Sequence, residues 1–217
     1  MIISYIEHKS MELFHKNNEI NVLVSLCMNY CDTTIIDDIL ALISISTIDI
    51  MYEYLEILEI KYINSYLYDI FLKFKQCILL IFDNKHMKNL KGAFLEVLTL
   101  AIFEKYYPNN KHYTDCNVCI NDWSSDKTVD IVMECDNSAL ICECKIPSSK
   151  FSWNIFKNLL NIKNNSNGYF SIFISTLANK NRMKNKKQKI INVVDECESL
   201  DEIHFITREF LVNLNLN

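Results

Sequence analysis

The stretch TVDIVMECDNSALICECK, residues 128–145, contains three residues that are chemically out of place. Two short apolar runs flank a DNS turn, which is the pattern of a buried hairpin. Asp130, Glu143 and Lys145 are nevertheless set into those runs. Strand alternation groups Asp130 with Val132 and Glu134, and Glu143 with Ile141 and Lys145. Closing the hairpin at DNS then brings the two carboxylates together at one edge of a sheet. Two ionised carboxylates in a partly apolar site repel each other and lose hydration. A divalent cation removes that conflict: Mg²⁺ takes oxygen ligands from one or two carboxylates and keeps water and phosphate for the rest of its shell. Lys145 can hold a water nucleophile or offset charge that builds on phosphorus. The plainer reading is a Glu143–Lys145 surface ion pair, which is worth little.

A second segment argues against the plain reading. In LKGAFLEVLTLAIFEK, residues 90–105, Glu96 is the only charge between Lys91 and Glu104. Its neighbours at three and four residues' distance are Gly92, Ala93, Thr99 and Leu100. A helix that is apolar all round is buried, and a buried carboxylate needs a partner. Gly92 weakens the helix and allows another backbone to approach closely.

Glu96 on a helix, then Asp130, then Glu143-Cys144-Lys145 resembles the PD-(D/E)XK nuclease superfamily, the restriction-endonuclease-like fold. The resemblance covers residues 86–217. It implies an α/β fold with an αβββαβ mixed-sheet core. It implies Mg²⁺ or Mn²⁺ held by Glu96, Asp130, Glu143 and the backbone carbonyl of Cys144, with Lys145 assisting the attacking water. Val129 precedes Asp130 in place of the family's proline, which is often absent in the family. The implied activity is a metal-dependent endonuclease, on DNA before RNA, of the kind that serves restriction or antiviral defence.

The elements needed to position these residues are readable in outline. Residues 1–85 read as a helical N-terminal region for packing or partner contact, with no linker composition marking its end. ISYIEHKSMELFHK has helical spacing, and Asp32 and Thr47 are candidate N-caps. From residue 86 the pattern reads α-β-β-β-α-β-α-β: a helix stopped by Pro108, three short strands, the helix FSWNIFKNLLNIK, the strand YFSIFIST, a helix from Lys187, the strand EIHFIT and a closing helix.

The net charge of −5 hides an asymmetry: from Lys145 to Ile191 there are ten Lys or Arg and no Asp or Glu. Lys150, Lys157, Lys163, Lys180, Arg182 and Lys184 are therefore candidate phosphate contacts, with residues 180–189 read as a loop. Trp153 could stack on a base but suits a core position. Two Gly and two Pro exclude a turn-rich or disordered chain. No segment reads as a signal peptide or a membrane span. Nine Cys without a secretion signal fit reduced thiols and a cytoplasmic location. Cys116-x-x-Cys119 with Cys142-x-Cys144 offers a zinc-stapled interaction protein as an alternative. A catalytically inactive, nucleic-acid-binding or scaffolding version of the nuclease fold is another. No phosphate-binding G-x-x-x-x-G-K-[ST] loop is present, so sensing or ATP hydrolysis would come from a partner protein. Cutting both strands of a duplex needs two sites, which implies a homodimer.

Overall fold

Pro108 marks the change from helical to alternating hydrophobic pattern, and the architecture follows that change on both sides. A computed structural model describes the chain except for residues 31, 148–149, 192–196 and 215–217. The helices are α1 (Glu12–His15), α2 (Asn18–Asn29), α3 (Thr33–Ser44), α4 (Ile48–Tyr62), α5 (Tyr68–Phe82), α6 (Met87–Tyr106), α7 (Trp153–Asn165), α8 (Lys180–Ile191) and α9 (Arg208–Val212). The strands are β1 (Ile3–Glu7), β2 (His112–Ile120), β3 (Trp123–Ser124), β4 (Val129–Cys135), β5 (Ser138–Cys144), β6 (Phe170–Ser175) and β7 (Ile203–Ile206). No helix among the described residues is long and apolar enough to cross a membrane.

The strands form one mixed sheet in the order β1-β2-β4-β5-β6-β7, with β3 paired to β2. β1, β2, β4 and β5 are antiparallel neighbours, and β5, β6 and β7 are parallel. The parallel steps follow from the helical crossovers α7 and α8, since parallel strands need a long connection. Two segments differ from the sequence expectation. Residues 3–7 form an edge strand against β2 rather than the start of a helix. The Lys-rich segment 180–189 is the body of α8 rather than a loop.

Local signals account for several boundaries. The Asp32 carboxylate accepts from the backbone N–H groups of Thr34 and Ile35, at 3.0 and 3.2 Å, and so caps α3. Thr47 occupies the N-cap position of α4 without a side-chain bond. After α7, Asn167 and Gly168 take φ of 52° and 78°, and Gly168 N–H donates to Lys163 O at 3.0 Å. Such left-handed residues end a helix.

α6 is apolar all round because it is covered on two sides. Ala93, Phe94, Leu98 and Ile102 belong to one core with Leu23 of α2 and Phe74 and Ile78 of α5. The same core includes Ile131, Met133, Leu140, Cys142 and Cys144 of the sheet. That core runs across residue 85 without interruption. A second layer on the other sheet face joins Cys116, Val132, Ile141 and Ile172 to Phe156, Leu159 and Ile162 of α7. Cys142 and Cys144 thus lie under α6 and Cys116 under α7, so the zinc pairing is corrected: the sheet itself separates its ligands. Cys77, Cys116, Cys119, Cys135, Cys142 and Cys144 take part in no disulfide.

Among the described residues, no backbone from another element stands within 4 Å of where a Gly92 Cβ would lie. A Cβ there would meet only Glu96 Oε1, at 3.9 Å, an ordinary contact. Gly92→Ala should therefore stabilise the protein without divalent cation by about 0.5–1 kcal/mol through helix propensity, measured by urea unfolding. Destabilisation would show that position 92 is packed more tightly than this.

Candidate functional site

Asp130 is the second residue of β4, and Glu143 the second-last of β5. The register Ile131↔Cys142 ends one residue short of them on each strand, which leaves Asp130 and Glu143 side by side at the end of the hairpin. Simple alternation breaks down at Asp130. The β2–β4 ladder passes from Thr114↔Ile131 to Cys116↔Val129 and skips the pair between, where Asp115 has φ +46°. As a result Val129 and Val132, three residues apart, both lie in the layer under α7, while Ile131 lies under α6. Such a local irregularity re-aims a side chain next to a site.

Lys145 joins the two strand ends. Its ammonium lies 2.7 Å from Glu143 Oε1 and 3.0 Å from Asp130 Oδ2, and donates to the Cys144 carbonyl at 3.1 Å. Cys144 N–H donates to the same Asp130 Oδ2 at 2.6 Å. The Lys145 backbone N–H donates to Ser175 O at 3.0 Å, continuing the β5–β6 ladder. Ser175 Oγ in turn lies 2.7 Å from Thr99 Oγ1, one turn along α6 from Glu96. Both hydroxyl residues are fully buried, so this contact fixes the register of α6 against the strands.

Glu96 is 8% exposed, as is Glu143. The Asp130 carboxyl is pushed up to about 8 in all, burial being the largest cause. Within that rise the charge of Glu143 comes next after burial, Lys145 opposes it, and Glu96 adds to it. Burial also raises Glu143, against the pull of Lys145 and with a further push from Glu96. For Lys145, burial disfavours the ammonium, but Asp130 and Glu143 outweigh burial and hold it above the usual lysine range. Three carboxylates therefore sense one another across a site with too little positive charge.

Glu96 has one partner that its sequence neighbourhood does not reveal. His15 Nε2 lies 2.6 Å from Glu96 Oε2. An isolated histidine at the end of a segment that reads as helical carries no sequence signal.

Among the described residues, no three His, Cys, Asp or Glu side chains already stand in ligating geometry. Lys145 and His15 take one oxygen of each carboxylate instead. Among the described residues no hydrogen bond reaches Asp130 Oδ1, Glu143 Oε2 or Glu96 Oε1. These are hard oxygen donors, one from each residue, and they suit a hard divalent cation. The Cys144 carbonyl, the fourth expected ligand, faces Lys145.

The basic residues separate into groups. Lys150 lies just before α7 and Lys157 in its second turn, both exposed at the site end of the sheet. Arg182 lines a cleft of about 450 Å³ with Ile146, Pro147, Ala178 and Arg208, directly after Lys145 in the chain. Lys180 and Lys184 line a separate cavity of about 890 Å³ beside β7 and α9. Lys163 is not brought to the site. It sits at the C-terminal end of α7, where β6 begins, and pairs with Glu202 at 2.8 Å. β6 is parallel to β5, so that is the opposite end of the sheet. Trp153 is half-buried against the α7 layer.

Neither a protein-family model nor a curated protein matches the sequence. Among solved structures, the chain is similar to protein VC1899 from Vibrio cholerae, seen in a crystal structure, with a TM-score of 0.54 and 12% identity. The match covers 99% of this chain and 57% of that one, so the chain spans somewhat over half the length of its neighbour. At that identity the likeness concerns the fold: a mixed α/β sheet flanked by helices.

Proposed function

We propose that the chain is a divalent-cation-dependent nuclease that hydrolyses phosphodiester bonds, DNA being the first substrate to test, on a restriction-endonuclease-like core. The observation that carries this reading is the convergence of Glu96, Asp130, Glu143 and Lys145 from α6, β4 and β5 at one end of the sheet. The run α6-β2-β4-β5-α7-β6 supports the core, with α6 on one sheet face and α7 on the other. Glu96, Asp130 and Glu143 would hold Mg²⁺ or Mn²⁺. When bound, that cation supplies Lewis-acid polarisation of a phosphoryl oxygen and lowers the pKa of water. Lys145 Nζ, fixed between two carboxylates, orients the attacking water and offsets charge on the phosphoryl group. The new P–O bond forms from water in line with the leaving oxygen, whose P–O bond breaks and which ends protonated. Arg182 and Lys150 lie where flanking phosphates would pass.

Lys145→Ala should reduce cleavage of plasmid, linear and single-stranded substrates by roughly 10²–10³-fold, the scale of losing one preorganised charge-stabilising group, while the fold persists. Equal cleavage by wild type and variant would place the activity elsewhere. Cation binding with no cleavage of any substrate would favour the binding or scaffolding reading.

The raised Asp130 sets a pH dependence. An unfolded Asp titrates near 4, so the cation-free native state binds the extra proton more readily than the unfolded state. The stability this residue contributes is full below about pH 4 and is lost as pH rises through about 8. Cation binding needs the ionised form and releases the proton. The rise in Tm produced by a fixed Mn²⁺ concentration should therefore grow from pH 6 to pH 8.5, and Asp130→Asn should abolish the growth. A cation effect independent of pH would contradict the assignment.

A further inference from the structure

The chain between β1 and α2 is fastened at both of its ends to the neighbourhood of the site. β1 ends at Glu7, paired with Cys116. Beyond it, His8 N–H donates to Asp115 O at 2.9 Å, and His8 Nε2 lies 2.5 Å from Asn117 Oδ1. The Ser10 backbone N–H donates to Asp115 Oδ2 at 3.2 Å, and the Ser10 hydroxyl bonds the same oxygen. Asp115 is the residue in the gap of the ladder beside Asp130. Lys9, at φ 55°, turns the chain into α1. There Phe14 packs edge-on against His86 at 5.6 Å, and His15 meets Glu96 at 2.6 Å. Short as it is, this segment is held at Asp115 on one side and at α6 on the other.

The contact with Glu96 has a specific consequence. A ring nitrogen and a carboxylate oxygen at 2.6 Å share a proton, because two facing lone pairs would repel. With the proton on Nε2, the imidazole donates to Oε2 and fixes the carboxylate rotamer. Oε1 is then the oxygen left free, on the side where Gly92 offers no Cβ. Hydrogen bonds to ligating carboxylates orient them, and losing such a partner typically weakens metal binding by 10–100-fold.

We infer that His15 is a positioning residue of the cation site, acting through Glu96 and delivered by a segment outside the proposed nuclease core. This rests on the cation-binding reading of Glu96, Asp130 and Glu143. His15 has the donor geometry of a group that orders a ligand, and its removal leaves a buried carboxylate without its hydrogen bond.

The test is calorimetric titration of Mn²⁺, and separately of Mg²⁺, into the full chain as wild type, His15→Ala and His15→Gln, with circular dichroism confirming the fold. His15→Ala should weaken both cations by roughly 10–100-fold. His15→Gln, whose amide can still donate to Glu96, should recover most of the loss. Wild-type affinity in His15→Ala overturns the inference. So does a loss confined to Mn²⁺ that Gln fails to restore, which is the signature of a direct nitrogen ligand, and so does a loss of both cations without rescue. A wild-type chain that binds neither cation overturns the cation reading itself, and that result is visible before any variant is examined.

Discussion

Carboxylates taken out of water must be matched by positive charge or accept protons. Glu96, Asp130 and Glu143 are gathered where α6, β4 and β5 meet, and the ammonium of Lys145 is the cation placed between two of them. One lysine does not balance the set: burial first, and the neighbouring carboxylates after it, raise Asp130 and Glu143 against the pull of Lys145. Stability alone gives little reason for such a cluster, since replacing a buried ion pair by apolar residues of similar size is often neutral or stabilising. An arrangement that keeps three carboxylates short of charge is what the proposed site for a hard cation requires.

The rest of the architecture holds those groups in register. α6 is clamped between the helical bundle and the sheet, and the buried Thr99–Ser175 contact ties its fourth turn to the end of β6. β6 also takes the backbone N–H of Lys145. A shift of α6 by one residue would rotate Glu96 away and strand two hydroxyl groups in the core. The bundle serves the site indirectly by covering the outer side of that helix. The bidentate Arg208–Asp37 pair, at 2.6 and 2.8 Å, ties α9 to α3 beside the cleft that holds Arg182.

Much of this was legible in the residues themselves. The hairpin around DNS, the helix whose apolar stretch is broken only by Glu96, and the crossover helix between β5 and β6 all follow from spacing and turn chemistry. Three features were not legible, each for a physical reason. β1 reads as a helix because five residues are too few to separate period 2 from period 3.6 in an apolar run, and its partner strand lies more than a hundred residues away. The ladder gap at Asp130 depends on a left-handed Asp115 in a different strand, which alternation within β4 cannot encode. His15 reaches Glu96 across 81 residues, so no local pattern marks it. The assignment of Lys163 failed differently: charge sign was readable, but which end of α7 faces the site depends on the direction of β6.

Anomalous diffraction from crystals soaked in Mn²⁺ examines the charge-deficient cluster most directly. One ordered peak is expected, bounded by Glu96 Oε1, Asp130 Oδ1 and Glu143 Oε2, at oxygen distances of about 2.1–2.3 Å, close to those of other small hard cations. A soaked crystal that shows Mn²⁺ only at surface carboxylates, with Lys145 still closed on Asp130 and Glu143, would contradict it.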